Sequence, residues 1–83
     1  GLGDVYKRQS DASYFAALAL SQIPEAESAL LRAAQEPRTR RYALIALKER
    51  RSHAAKPLFE KALHAPDPAL RQLAREALTQ LSQ

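Results

Sequence analysis

The chain contains no cysteine, which removes disulfides, thiolate zinc sites and thiol nucleophiles together and leaves the redox compartment open. Glycine is almost missing. Only two of 83 residues are glycine, both within the first three, so neither a glycine-rich phosphate cradle nor a G-x-S-x-G nucleophile elbow can form further along. No apolar run approaches the ~20 residues that a membrane span requires. β-Branched residues are scarce: after the first nine positions only Ile23, Thr39, Ile45 and Thr79 occur. Alanine and leucine dominate what remains, and that composition favours helix almost everywhere.

Both glycines belong to "GLGDVYKRQ", which lacks the alanine and leucine periodicity of everything after it. The stretch resembles the translated end of a transposase adaptor used to prepare DNA sequencing libraries, and it fits codon by codon. The alternative is a short polar arm in which Tyr6, Lys7 and Arg8 form a small basic tail. Residues 1–9 are therefore set apart as an adaptor-like tail. Residues 10–83 are read as the domain, with the native chain expected to begin further upstream. Removing Lys7, Arg8 and Asp4 leaves 11 basic and 8 acidic residues, a net charge of +3 in place of +4. A chain this short buries only about 60% of its unfolded surface and is marginal alone.

Prolines punctuate the remainder. Asp67-Pro68 has the form of an N-cap followed by proline at the first helical position, where its missing N–H costs nothing. Glu36-Pro37 is a weaker copy. Pro24 starts another helix, with Glu25 and Glu27 set against the positive end of its dipole. The spacing predicts five helices, at 11–22, 24–35, 38–50, 54–64 and 68–81, joined by very short turns. Pro57 is the discord, since within a helix it removes a hydrogen bond. Either its helix starts near Ala55 or its first turn is irregular. Ala43, Ala46 and Leu47 follow one face, as do Leu70, Leu73, Ala74, Ala77, Leu78 and Leu81 in the last helix. The predicted core is Ala43, Ala46, Leu47, Leu58, Leu63, Leu73, Ala74, Ala77 and Leu78, with Arg41 and Lys48 exposed.

The helices copy one another. Shifted by 29, Ala17, Leu18, Ala26, Leu30, Ala33 and Pro37 fall on Ala46, Leu47, Ala55, Phe59, Ala62 and Pro66. After Pro66 the shift becomes 31, and Arg40, Ala43, Ala46 and Leu47 fall on Arg71, Ala74, Ala77 and Leu78. A two-helix unit of this length is a solenoid signature. The stretch "PLFEKALHAPDPALRQLAREALTQL" resembles a HEAT-like repeat of the short bacterial, phycobilin-lyase type: L-x-x-x-L, a D-P turn, then L/V-R-x-x-A-x-x-A-L. "ALLRAAQEPRTRRYALIAL" is a looser copy, with Glu36 in place of Asp and Thr39 in place of the aliphatic residue. The resemblance covers residues 24–81. It implies an all-α, α-solenoid fragment of antiparallel helical hairpins, about two and a half repeats. Residues 24–50 would form one unit and 53–81 a second, with 11–22 the inner helix of a unit whose outer helix lies upstream. A tetratricopeptide-like repeat is the alternative: Ala55, Phe59 and Ala62 fit its spacing, while its 34-residue period and its glycine do not appear.

The resemblance implies structural roles for Asp67 and Glu36 as caps, and for Arg40 and Arg71 as side chains reaching the neighbouring repeat's turn. The functional hint is a basic run. Arg38, Arg41, Ile45, Lys48 and Arg51 are the candidate partner-binding residues, with Arg41, Ile45 and Lys48 at i, i+4 and i+7 opposite the Ala43/Leu47 stripe. The bland alternative is an ordinary solvated helix face. Nucleic acid is the weaker expectation, because the corresponding positions in the last helix are Gln72, Glu76 and Thr79 and no aromatic ladder accompanies the run. His53 and His64 lack a third ligand for a metal. Tyr14, Phe15, Tyr42 and Phe59 read as packing anchors, not as a cofactor box.

The sequence therefore predicts a non-catalytic protein–protein interaction scaffold, without cofactor or metal, cytoplasmic, binding a macromolecular partner along a concave helical surface, with a protein, acidic or not, ahead of nucleic acid. The rival is a fragment of a HEAT-like enzyme acting on chromophores (a phycobilin lyase) or on alkylated DNA (a glycosylase). It rests on fold analogy alone.

Overall fold

The computed structural model describes residues 11–83, with side chains from Ser13 onward; the reading of residues 1–9 as a tail lies outside them. Five α-helices follow in order: α1 Asp11–Leu20, α2 Pro24–Ala33, α3 Arg40–Glu49, α4 Lys56–Ala62 and α5 Pro68–Leu81. A 3-10 turn, His53–Ala55, leads into α4. The described residues include no strand, and none of their helices is long and apolar enough to cross a membrane.

Each helix starts where its sequence permits. Pro24 and Pro68 stand in the first turns of α2 and α5, where no intrahelical N–H is lost. The discord at Pro57 resolves both ways at once. The chain first makes the 3-10 turn, then begins α4 at Lys56, so Pro57 also lies in a first turn. Without glycine, the chain needs another residue to close α3 in the left-handed region. Arg51 takes φ 53°, and the amides of Arg51 and Ser52 bond back to the carbonyls of Lys48 and Leu47, both at 3.0 Å. That is a Schellman closure with arginine where glycine is normally preferred.

α3 is the central helix. It packs against α1, α2 and α5, while α4 packs against α5. This explains why the predicted stripe of α3 is too narrow: Ala43, Leu44, Ala46 and Leu47 are all buried, because apolar neighbours meet the helix from several sides. Leu30 of α2 and Phe59 of α4 are fully buried with Leu44 and Leu47 and form the centre of the core. Ala74 and Ala77 are buried as the periodicity predicts, whereas Leu58, Leu63, Leu73 and Leu78 are half-buried at its margin. The alanines leave room for this interlocking of larger side chains.

Phe15 is buried, but the predicted anchors Tyr14 and Tyr42 are substantially exposed. They flank Phe15, Tyr14 edge-on at 5.1 Å between centroids and Tyr42 stacked at 6.3 Å. The positions of α1 that correspond to buried Ala43 and Ala46 are exposed Tyr14 and Ala17. No described helix covers that side of α1.

Candidate functional site

The polar residues of the α2–α3 and α4–α5 turns fall into a repeated pattern. The carbonyl of Glu36 accepts from the amides of Thr39 and Arg40, and the carbonyl of Asp67 accepts from those of Leu70 and Arg71. Arg40 donates from Nε to the carbonyl of Ala34 at 3.1 Å and from Nη2 to that of Gln35 at 3.2 Å. Arg71 donates from Nη1 to the carbonyls of Ala65 at 2.7 Å and Pro66 at 2.9 Å. Each guanidinium thus satisfies carbonyls of the turn that follows the preceding helix, beginning at the C-cap of α2 and two residues past the C-cap of α4. This corrects one expectation: each arginine secures the turn that leads into its own helix, not a turn of a neighbouring repeat.

The caps divide. Asp67 accepts from the amide of Ala69 at 2.9 Å and is a true N-cap. The carboxylate of Glu36 makes no cap bond. Thr39 occupies the N-cap position of α3, and its hydroxyl donates backward to the carbonyl of Ala33 at 2.7 Å. A third arginine completes the set: Arg50 donates from Nη1 to the carbonyls of Leu18, at 2.9 Å, and Ser21, tying α3 to the end of α1. No motif in the sequence marks that contact, which spans about thirty residues.

The five candidate partner-binding residues do not form one cluster. Arg38 and Arg41 are exposed at the start of α3, whereas Arg51 closes its far end, about 15 Å away at 1.5 Å per residue. Lys48, expected to be exposed, has 22% of its side chain accessible and binds Glu76 of α5 at 2.8 Å. Gln72 donates to the other carboxylate oxygen of Glu76 at 2.9 Å. These bonds, with Lys48 first, hold the Glu76 carboxyl below the usual carboxylate range.

Ile45 is partly exposed beside Tyr42. Between α1 and α3, Phe15, Ala16, Tyr42, Ile45, Ala46 and Glu49 line a shallow, mainly apolar depression of ≈ 160 Å³. Arg41 stands one turn before Ile45 on the same side of α3. The row of α1, α3 and α5 therefore presents a basic end, an apolar depression and a Lys48–Glu76 tie across its second groove.

Among the described residues no group of three or more His, Asp or Glu side chains is placed to hold a metal ion. His53 and His64 are exposed at opposite ends of the segment that contains α4. No known family's model matches the chain, no curated protein matches it in sequence, and no solved structure matches its fold.

Proposed function

We propose that this chain is a non-catalytic, protein-binding scaffold, an α-solenoid of short HEAT-like hairpins that takes an acidic protein segment on the face made by α1, α3 and α5. The solenoid reading is supported by the two turns, whose backbone and arginine hydrogen bonds recur at a shift of 31 residues. Equivalent core positions agree: Ala26 and Ala55, Leu30 and Phe59, Ala43 and Ala74, and Ala46 and Ala77 are buried pairwise.

One observation carries the binding reading. Arg38 and Arg41 are exposed, have no acidic partner among the described residues, and sit at the N-terminal end of α3. Cations there oppose the helix dipole, and each costs about 0.3–1 kcal/mol. Helix stability does not account for them, whereas an acidic ligand does. The adjoining, mainly apolar depression suits one leucine or phenylalanine, with the acids of the ligand on the Arg38/Arg41 side, away from Glu49 at the other end of its lining. Nucleic acid fits less well, because the basic patch does not continue onto α5, where Glu76 takes up Lys48.

Fluorescence anisotropy tests this with a labelled Asp/Glu-rich peptide carrying one phenylalanine. The double variant Arg38→Glu/Arg41→Glu should bind at least tenfold more weakly, and the native affinity should fall with salt. The controls Arg32→Glu and Lys56→Glu should bind as the native chain does. Equal loss in the controls, or tighter binding of duplex RNA than of the peptide, would overturn the proposal.

A further inference from the structure

A second concavity lies away from this face, between the α2–α3 hairpin and the α4–α5 hairpin, with a volume of ≈ 490 Å³. That is within the usual range of small-ligand sites, about 300–1,000 Å³. Its apolar walls come from Leu44, Leu58, Ala62 and Leu70. Lys61 and His64 stand beside them, both exposed, and Arg40 reaches in from α3, while no Asp or Glu among the described residues lines the cleft.

The charges are arranged in one sense. Among the described residues Lys61 makes no ion pair, and Arg40 spends Nε and Nη2 on carbonyls but finds no acceptor for Nη1. The turn carbonyls beside the cleft are already engaged, those of Ala34 and Gln35 by Arg40 and those of Ala65 and Pro66 by Arg71. Three carboxylates lie one residue along the chain from lining residues, Glu36, Glu60 and Asp67; none of them lines the cleft, and that of Asp67 is held by the amide of Ala69. The cleft thus joins an apolar wall to a cationic edge with no compensating anion.

We infer that this cleft is a binding site for a small amphipathic monocarboxylic acid, the tail lying along Leu44, Leu58 and Leu70 and the carboxylate meeting Lys61 and the free Nη1 of Arg40. A neutral ligand of the same shape gains only the apolar part of that interaction.

Amide chemical shifts followed during titration with sodium octanoate, below its micelle threshold, test the inference, with octanol as the neutral isostere. Octanoate should produce saturable shifts centred on Leu44, Leu58, Ala62 and Leu70, and bind at least tenfold more tightly than octanol. Lys61→Glu, a change at an exposed position, should weaken octanoate at least tenfold, and Lys61→Arg should retain it. Equal binding of octanol, indifference to Lys61→Glu, or shifts that do not saturate or that centre on α1 would each overturn the site.

Discussion

Arg40 and Arg71 make the same pair of bonds at the α2–α3 and α4–α5 turns: each guanidinium donates to the carbonyls six and five residues before it. Arg40→Ala and Arg71→Ala should each cost about 1–2 kcal/mol, because a charged donor is removed and two turn carbonyls lose their partner. Lysine should restore less than half, since one ammonium does not reproduce the planar fork. Urea unfolding of the three forms at each position checks this. A loss below about 0.3 kcal/mol at either site would show that the turns hold without these arginines.

Arg51 carries the positive φ that closes α3. Arg51→Gly should therefore stabilise the chain, by about 0.5–1 kcal/mol, because glycine enters the left-handed region without the Cβ clash. Thermal unfolding with a raised Tm is the expected outcome. A lowered Tm would mean that the arginine side chain contributes more than its backbone costs.

The Lys48–Glu76 tie predicts an acid limb in the stability profile. Glu76 has its folded-state pKa lowered, mainly by the Lys48 hydrogen bond, so its contribution is fully present above the ordinary carboxylate pKa. It is lost as the pH falls through the lowered value. Glu76→Gln should flatten that limb, and salt should weaken the contribution, because the pair is partly exposed. A Glu76→Gln profile parallel to the native one down to strongly acid pH would contradict the assignment.

Amide hydrogen exchange should be fastest in α1. Tyr14, Ala17 and Leu20 are exposed along it, so little packing opposes its opening. α5 has fourteen residues, the Asp67 cap and close contact with α4. Arg50→Ala should accelerate exchange in α1 and leave α5 unchanged, since Arg50 ties α3 to the carbonyls of Leu18 and Ser21. Slower exchange in α1 than in α5 would reverse this order of stability.

Much of this architecture is legible in the residues. Proline positions and alanine spacing place all five helices, with ends shifted by a few residues. The repeat shift anticipates the pairing of Ala43 with Ala74 and of Arg40 with Arg71. Periodicity within one helix carries no record of how many neighbours that helix has. For that reason the burial of Leu44 in the central helix was not legible, nor was the exposure of Tyr14. Partners distant in the chain were equally hidden. Lys48 reads as a free cation until α5 brings Glu76 to it, and Arg50 shows no motif for its bonds to the end of α1. The basic patch is visible in sequence, but its division between the two ends of α3 depends on where that helix stops.

The central claim is that an acidic protein segment binds the face of α1, α3 and α5. The most direct measurement is amide chemical-shift mapping of the chain titrated with the phenylalanine-bearing acidic peptide. The account predicts saturable shifts concentrated at Arg38, Arg41, Tyr42 and Ile45, extending to Ala16 of α1 and lost in Arg38→Glu/Arg41→Glu. Shifts centred on α2 and α4, or no saturable shifts on α3, would contradict it.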